Sequence, residues 1–305
     1  MKKLLGAAAI AATLATSVNA ADIVVVTHGQ ASDPFWSVVK NGVEKAAADT
    51  GAKVEYRAPE TFDMVAMGQL IDAAVNKEPD GLVVSIPDAD ALGPAIEKAV
   101  NAGIPVISMN SGGDVGKDLG TLLHVGQSEF DAGKAAGEKM AELGGSKALC
   151  VNHEVGNVSL DDRCAGFAEG FGNDVTILPT TNDPAEVESK VKAALESDQD
   201  IDTVIALGAS LAGEPSVAAV EAVGRDGILV GSFDLSGSFL QSVADGKATF
   251  AIDQQQYLQG YLPVVFLALY ADYGLMPGGD VPSGPNLITG DKAEQVIELS
   301  SKGIR

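Results

Sequence analysis

The sequence predicts an α/β protein of two doubly wound, Rossmann-like parallel-sheet lobes joined by a three-strand hinge. Three observations indicate this fold class. Short β-branched runs alternate with longer alanine-rich amphipathic segments along most of the chain. The alternation starts again after about residue 130, which indicates a second lobe, although no sequence repeat is obvious. A further long helix and a proline- and glycine-rich tail then follow the tenth predicted strand.

The first lobe is predicted from five βα units. Strands are expected at residues 23–27, 53–57, 81–86, 104–109 and 122–125, and helices at residues 35–50, 65–77 and 91–102. Several of these strands contain continuous apolar runs, which indicates that helices cover both faces of the sheet. Gly51 and Gly103 stand where two of these helices end, because glycine readily adopts the left-handed C-cap conformation.

The second lobe repeats this organisation. Strands are expected at residues 147–152, 175–179, 203–207, 228–231 and 249–252, and helices at residues 130–143, 163–171, 185–196, 214–223 and 238–245. Because the last of these strands completes a second sheet, the remaining chain is free to return to the first lobe.

The C-terminal part of the sequence predicts the hinge. A long helix at 257–273 precedes the proline- and glycine-rich stretch, a weak strand at 286–289 and a short helix. In the simplest course, the chain returns to cover the first lobe after the tenth strand and then passes back to the second lobe. The chain then crosses between the lobes three times, near Val125, Ile252 and Gly284. Several parallel crossings allow closure while resisting twist. The predicted lobes are residues 21–124 with 254–284, and residues 125–253 with 285–305.

The N-terminus has the three parts of a secretory signal peptide. Lys2 and Lys3 precede an uncharged apolar stretch, and small residues then lead to Ala20. We expect cleavage after Ala20, so that residues 1–20 are removed, and export to the periplasm; an uncleaved N-terminal anchor is the alternative. The longest later apolar run, residues 262–270, is too short to span a bilayer.

Charge and motifs exclude several classes of function. The formal net charge is −22, and an acidic surface repels phosphate backbones, so no nucleic-acid partner is expected. Neither the glycine-rich dinucleotide fingerprint nor the P-loop motif occurs at a suitable place, which disfavours enzymes that use nucleotides. We therefore expect no catalysis and no cofactor. We also expect no metal site, because the three histidines are scattered along the chain.

The two cysteines, Cys150 and Cys164, suit an exported protein. An even number of cysteines at short spacing indicates a disulfide in an oxidising compartment. Cys150 ends a predicted strand and Cys164 opens the helix that follows, and such elements pack together. Two buried free thiols are the alternative.

Five short motifs along the chain carry a family likeness. They are Asp33-Pro34-Phe35-Trp36, the segment 102–107, the segment 163–167, the turn 231–234 and the hairpin 245–249. Each motif is short, but their order and spacing are similar to those of ribose-binding proteins over essentially the whole mature chain. The sequence therefore resembles the type I periplasmic sugar-binding components of ABC importers.

This resemblance implies a function. The family captures a monosaccharide or sugar alcohol by hinge closure and delivers it to the membrane permease of an ABC importer; a pentose or small polyol is favoured here. A monomer is expected, and a chemoreceptor is a second partner to consider. The alternatives are a nucleoside or autoinducer ligand and, less favoured, a secreted α/β enzyme.

Candidate ligand-binding residues in the first lobe follow its strands, because ligands of open α/β sheets bind beyond the carboxyl ends. By resemblance, Phe35 and Trp36 wall the ligand, and Asp33 replaces a hydroxyl-binding asparagine. Asn110 stands where ribose binders carry an aspartate before an arginine, which implies a different arrangement of hydroxyls; an Asx-turn is its alternative role. His28 is a further candidate.

Candidates in the second lobe and hinge are Asp161 and Arg163, Asp234 after a strand end, and the neighbours Asp253 and Gln254. A carboxylate such as Asp234 accepts strong hydrogen bonds from ligand hydroxyls, although capping the next helix would also explain it. The resemblance aligns Asp161 with a sugar-binding arginine and leaves Arg163 as the nearby guanidinium. Asn157 is a less certain candidate.

Overall fold

The structure, a computed structural model, describes residues 20–29 and 33–305. Apart from Ala20, the predicted signal peptide lies outside the described residues. Among the helices of the described ranges, none combines the length and apolar character that crossing a bilayer requires.

Strands and helices alternate along the described chain. The strands are β1 (Asp22–Val26), β2 (Lys53–Arg57), β3 (Gly81–Val84), β4 (Val106–Met109), β5 (His124–Gly126), β6 (Lys147–Asn152), β7 (Asp174–Pro179), β8 (Thr203–Ala206), β9 (Leu229–Phe233), β10 (Phe250–Asp253), β11 (Val281–Pro282) and β12 (Asn286–Ile288). The α-helices are α1 (Pro34–Thr50), α2 (Met64–Val75), α3 (Ala89–Asn101), α4 (Gly113–Gly116), α5 (Glu129–Glu142), α6 (Val158–Phe171), α7 (Pro184–Ser197), α8 (Glu214–Val223), α9 (Gly237–Ala244), α10 (Gln256–Tyr273) and α11 (Gly290–Ser301). A π-helical turn, Ala209–Gly213, precedes α8.

These strands form two six-stranded sheets, one per lobe. The orders are β11-β5-β4-β3-β1-β2 and β12-β10-β9-β8-β6-β7. Neighbouring strands are parallel except for β12, which runs antiparallel to β10. The central strands are fully buried on both faces, as their continuous apolar runs predict. The predicted fold class is therefore confirmed.

The chain passes between the two sheets three times. It leaves the first sheet after β5, leaves the second after β10, and passes from β11 of the first sheet to β12 of the second. Helix α10, which follows β10, packs against α1 of the first lobe, whereas α5, which follows β5, packs against α6 of the second. These three passages form the hinge.

Two helix pairs approach closely because glycines face the neighbouring backbone. A Cβ at Gly166 of α6 would lie 2.0 Å from the Phe130 carbonyl oxygen of α5. In the other lobe, a Cβ at Gly260 of α10 would lie 2.1 Å from the Val39 carbonyl oxygen of α1. Each pair thus packs backbone against backbone, which fixes the helices that begin at the cleft.

The start of α6 differs from the prediction. The helix begins at Val158 rather than residue 163, because the Asn157 side chain accepts a hydrogen bond from the Ser159 N–H and caps it. Cys164, in the second turn of α6, is joined by a disulfide to Cys150 of β6, with Cα atoms 5.9 Å apart. The bond ties the helix to its sheet.

Candidate ligand-binding site

A cavity lies between the lobes, at the carboxyl ends of both sheets. The first lobe contributes His28, Asp33, Phe35, Trp36, Asn110 and Ser111; the second contributes His153, Glu154, Asn157, Leu160, Arg163, Leu207 and Asp234; and the hinge contributes Gln254. Most of these residues directly follow a strand, where parallel-sheet proteins place their ligand contacts. Both lobes line the same space, so the cleft is closed.

The aromatic wall of the cavity consists of Trp36 and Phe35 at the start of α1. Their ring centroids are 5.1 Å apart, and the His28 ring meets the edge of Trp36 at 4.7 Å. The Trp36 ring lies directly on the backbone of Gly29, where a Cβ would come within 2.0 Å of it. Glycine at 29 therefore lets the indole lie flat against the β1 loop and present an apolar surface to a ligand.

Three residues with positive φ turn the chain at the site or beside it. They are Asn110 (φ 61°), Asp234 (φ 67°) and Gln255 (φ 53°). Such conformations are uncommon for residues other than glycine and concentrate at functional sites. Here they follow the ends of β4, β9 and β10, and the first two place polar side chains in the cavity wall.

The amide of Asn110 belongs to a hydrogen-bonded network that reaches the hinge. Its Nδ2 donates to Gln254 Oε1 and to Gln259 Oε1, each at 3.2 Å, and its Oδ1 accepts from the Ser111 hydroxyl at 3.1 Å. Gln254 Nε2 in turn donates to Asp234 Oδ1. A continuous chain of polar groups therefore connects the two lobes through Gln254.

Asp33 caps α1 and also lines the cavity. The Phe35 N–H donates to its Oδ1 at 2.9 Å, which leaves Oδ2 without a partner in the described structure. Burial raises the pKa of Asp33 to about 7; the Phe35 hydrogen bond opposes the rise, and nearby Asp234 and Glu154 add to it. Its carboxyl group is available to accept a hydrogen bond from a ligand.

Asp234 lies opposite, in the second lobe. Burial raises its pKa to about 6, against the opposing effects of the Arg163 charge and the Gln254 hydrogen bond. Its Oδ2 is 3.9 Å from Arg163 Nη1, too far for a direct hydrogen bond.

Arg163 is almost fully buried and is held by Glu129 of α5. Its Nε donates to Glu129 Oε2 at 2.6 Å and its Nη2 to Glu129 Oε1 at 3.0 Å, a bidentate pair. Nη1 donates to the Leu207 carbonyl oxygen at 2.8 Å, and the guanidinium lies over the Phe233 ring at 4.5 Å. Glu129 thus neutralises Arg163 and orients its remaining N–H groups toward the cavity.

Two cavity residues, His153 and Glu154, were not predicted. The His153 ring fills the space beside Gly208, where a Cβ would come within 2.8 Å of it. Glu154 accepts a hydrogen bond from Asn157 Nδ2 at 2.9 Å, and burial raises its pKa. Their position directly after β6, equivalent to that of Asn110 after β4, is the sequence signal that identifies them.

Both cavity histidines are held neutral. Burial lowers the pKa of His28 and of His153 to about 3, and the positive charge of Arg163 contributes in each case. His28 Nδ1 is hydrogen-bonded to the Ser85 hydroxyl at 2.8 Å, and its Nε2 lies 3.9 Å from Glu154 Oε2. The rings therefore offer hydrogen-bonding capacity without charge.

Nine of the predicted residues come together in this cavity, and two do not. Asp161 is exposed on α6 and accepts a hydrogen bond from Asn152 Nδ2 at 2.9 Å. Asp253 is fully buried in β10, where it accepts from the Gln255 N–H at 2.8 Å and pairs with Arg305. Because α6 begins five residues earlier than predicted, both residues lie within the helix. Arg163 is on its buried face and Asp161 on its exposed face.

The closed two-lobed fold, with a polar, aromatic-walled cavity at the strand ends, is that of a type I periplasmic binding protein. Residues 23–275 match the family model described as a periplasmic binding protein domain, and the chain belongs to that family. The predicted family is confirmed. So is the prediction that the chain is not an enzyme, because this is a family of substrate-binding proteins.

Curated relatives include sugar-binding proteins. The chain is 26% identical to the xylose/arabinose-binding protein XylF of Sulfolobus acidocaldarius over 81% of its own length and 65% of that protein, so it spans slightly less than two thirds of this relative. It is 24% identical to the ribose import binding protein RbsB of Escherichia coli, over 83% of this chain and 87% of that one.

Solved structures give a higher similarity. A carbohydrate transporter protein from Acidothermus cellulolyticus, crystallised with myo-inositol, is 35% identical, with a TM-score of 0.89 over 94% of this chain and 100% of that one. A periplasmic sugar-binding protein of an ABC transporter from Legionella pneumophila is 26% identical, with a TM-score of 0.80 over 87% and 99% of the two chains.

Proposed function

We propose that this protein is the periplasmic substrate-binding component of an ABC importer and that it captures a monosaccharide or sugar alcohol. A small cyclic polyol is favoured, in line with the myo-inositol bound by the 35% identical protein from Acidothermus cellulolyticus. Export with cleavage after Ala20 is part of the proposal, as are a monomeric state and delivery of the ligand to a membrane permease. A chemoreceptor is a further proposed partner.

One observation carries this proposal: the cavity combines a flat apolar wall with an excess of hydrogen-bond acceptors. Trp36 and Phe35 suit the C–H face of a sugar or cyclitol ring. Asp33, Asp234 and Glu154 accept hydrogen bonds from ring hydroxyls, and their charge makes each bond stronger. A polyol suits both features of the cavity, because its C–H faces can lie on the aromatic rings and its hydroxyl groups can donate hydrogen bonds to the carboxylates.

Ligand capture then follows from closure of the lobes. The proposed lobes are residues 21–124 with 254–284 and residues 125–253 with 285–305, and the membership of the two sheets supports these limits except that β5 continues to Gly126 in the first sheet. A ligand that docks on the aromatic wall of one lobe and receives contacts from the other stabilises the closed state. The network through Gln254 connects this movement to the hinge.

The test is a thermal-shift and fluorescence titration of the purified protein with myo-inositol, ribose, arabinose, xylose, glucose and a nicotinamide dinucleotide. Trp36, the only tryptophan, reports binding directly. A ligand at 100 times its Kd stabilises the folded state by about 2.7 kcal/mol. We expect this with one sugar or polyol; a response to the dinucleotide alone would disprove the proposal.

A matched pair of variants locates the site. Asp234→Asn removes a carboxylate from the cavity, and we expect affinity to fall about 10- to 100-fold, the loss expected for a hydrogen bond to a charged group. Asp161→Asn makes the same chemical change on the exposed face of α6 and is expected to leave affinity unchanged. Equal effects of the two substitutions would place the site elsewhere.

A further inference from the structure

Three acidic side chains meet in the cavity from opposite lobes. Asp33 belongs to the first lobe, whereas Glu154 and Asp234 belong to the second, and all three line the same space. The charges of Asp234 and Glu154 act on Asp33 across the cleft, where they reinforce the effect of burial on its pKa. Closing the cleft without a ligand therefore brings like charges together in a buried place.

The protein compensates these charges only in part, because Arg163 acts on Asp234 and Glu154 while it is paired with Glu129. Among the described residues that line the cavity, Arg163 is the only cationic side chain, and Glu129 already neutralises it through two hydrogen bonds. Both cavity histidines are neutral near pH 7, since burial lowers the pKa of each to about 3. Once the Arg163–Glu129 pair is set aside, the ionised cavity carries three negative charges and no positive one.

Asp33 and Asp234 line a second space as well as the main cavity. The two carboxyl groups, with the Phe35 ring and the backbone turn after Gly208, line a side chamber that shares four of its lining residues with the main cavity. A cation placed there would contact a carboxylate from each lobe and lie beside an aromatic ring, which also attracts cations.

We propose that the preferred ligand is a polyol that carries a protonated amine, an amino sugar or amino-cyclitol, with its ammonium group between Asp33 and Asp234. This inference rests on the proposed polyol-binding function and narrows its ligand class. The ammonium offsets the repulsion that closure creates, whereas a hydroxyl donates one hydrogen bond and leaves the charge in place. Acidic sugars are excluded, because a further anion would raise the cost of closure.

The same charges give the preference a pH dependence. The groups that act on the two aspartates across the site are Glu154, Arg163, Glu129, Tyr56 and Asp253. Burial raises the pKa of Asp33 to about 7 and that of Asp234 to about 6, so both are largely protonated at pH 5.5 and progressively ionised by pH 7.5. Affinity for the ammonium form, corrected for the protonated fraction of the amine at each pH, therefore increases over this interval.

The experiment is calorimetry with two charge series at pH 5.5 and 7.5. One series pairs myo-inositol with an amino-deoxy-inositol; the other uses glucose, glucosamine and glucuronate. Within whichever series binds, we expect the amine to bind about tenfold tighter than its neutral parent at pH 7.5, with a smaller ratio at pH 5.5. We expect no binding of the anion.

The variant Asp33→Asn tests the negative charge at position 33 without removing the cap of α1. An asparagine at this position still caps α1, because its amide oxygen accepts the Phe35 N–H, but it carries no charge. We expect the ratio of amine to neutral affinity to fall several-fold in this variant, and Asp234→Asn provides the same test from the other lobe. The amine proposal is wrong if neither amine binds more tightly than its neutral parent and both variants keep the wild-type ratio. The polyol proposal would then still stand. If no member of either series binds but a pentose of the first panel does, the amine proposal fails and the polyol proposal stands; if nothing in either panel binds, both proposals fail.

Discussion

The backbone N–H of Val158 donates a hydrogen bond to the carbonyl oxygen of Pro87 at 3.0 Å. Val158 is the first residue of α6 in the second lobe, and Pro87 lies in the loop that leads from β3 to α3 in the first. The first N–H groups of a helix have no partner within the helix. Pro87 therefore supplies one across the cleft, and this bond depends on closure.

Val158→Pro tests this contact. Proline is well tolerated at the first helical position, and Asn157 already has the extended conformation that a following proline requires. The substitution thus removes the donor and leaves α6 intact. We expect ligand affinity to fall about 2- to 12-fold, the equivalent of one ordinary hydrogen bond of 0.5–1.5 kcal/mol, as measured by calorimetry.

Val158→Ala is the matched control, because it shortens the same side chain and keeps the N–H. Affinity of this variant should match that of the wild-type protein. If the proline and alanine variants bind alike, the hydrogen bond to Pro87 contributes nothing to closure. Unfolding in urea monitors whether either substitution disturbs α6.

The raised pKa of Asp33 in the closed structure predicts that the stability of the protein depends on pH. Its folded-state pKa of about 7 exceeds the usual 3.8, so the folded state retains a proton that the unfolded chain has lost. This contribution to stability is fully present below pH 4 and is lost as the pH rises toward 7. Asp33→Asn removes it and keeps the helix cap.

The buried histidines have the opposite dependence, so the comparison must be made between variants. The folded-state pKa of His28 is lowered to about 3, and its contribution is therefore lost as the pH falls below 6.5. Subtracting the unfolding free energy of Asp33→Asn from that of the wild type cancels this effect. We expect the difference to decrease from pH 5 to pH 8 in urea titrations; a flat or rising difference contradicts the buried carboxyl assignment.

The sequence predicted the strands well, and the reason is physical. Strands buried on both faces, such as β3 and β8, require continuous apolar runs, and such runs are visible without a partner. Because ligand contacts follow strand ends, Asn110 and Asp234 were identified by the same route. Helix phase was harder: the start of α6 depends on the Asn157 cap, and a five-residue error in its position left the exposed Asp161 among the candidates beside Arg163.

Pairings between distant residues could not be predicted from the sequence. Glu129 holds Arg163 although the two are 34 positions apart, and Glu129 lies one residue before the helix predicted at 130–143. The hydrogen bond between Asn110 and Gln254, 144 positions apart, exists because the hinge brings β4 and β10 together. His153 fills the space left by Gly208, which becomes apparent only when the packing is known.

The disulfide between Cys150 and Cys164 is expected to stabilise the second lobe. It closes a loop with a sequence separation of 14, for which the chain-entropy model gives about 3 kcal/mol. We expect the double variant Cys150→Ala, Cys164→Ala to lose about 2–4 kcal/mol of unfolding free energy in urea. Reduction of the wild-type protein should give a similar loss, whereas an unchanged midpoint after reduction would show that the cysteines are not bonded.

The glycine contact between α5 and α6 predicts a linked loss of stability and binding. In Gly166→Ala the new methyl group would lie 2.0 Å from the Phe130 carbonyl oxygen, so the helices must separate. We expect a destabilisation of about 1–3 kcal/mol, typical of overpacking. Affinity should fall as well, because Arg163 precedes Gly166 by one turn and its pairing with Glu129 spans the same two helices.

Gly68→Ala is the control, because Gly68 lies in α2 and no atom beyond its chain neighbours and its own helix backbone lies within 4 Å of its Cβ position. Alanine is favoured over glycine inside a helix by about 0.5–1 kcal/mol, so this variant should be stabilised and should bind normally. Urea unfolding and calorimetry of both variants provide the comparison. If Gly166→Ala is as stable as Gly68→Ala, the close approach of α5 and α6 is incorrect. If it is destabilised but binds with wild-type affinity, the position of Arg163 does not depend on that approach.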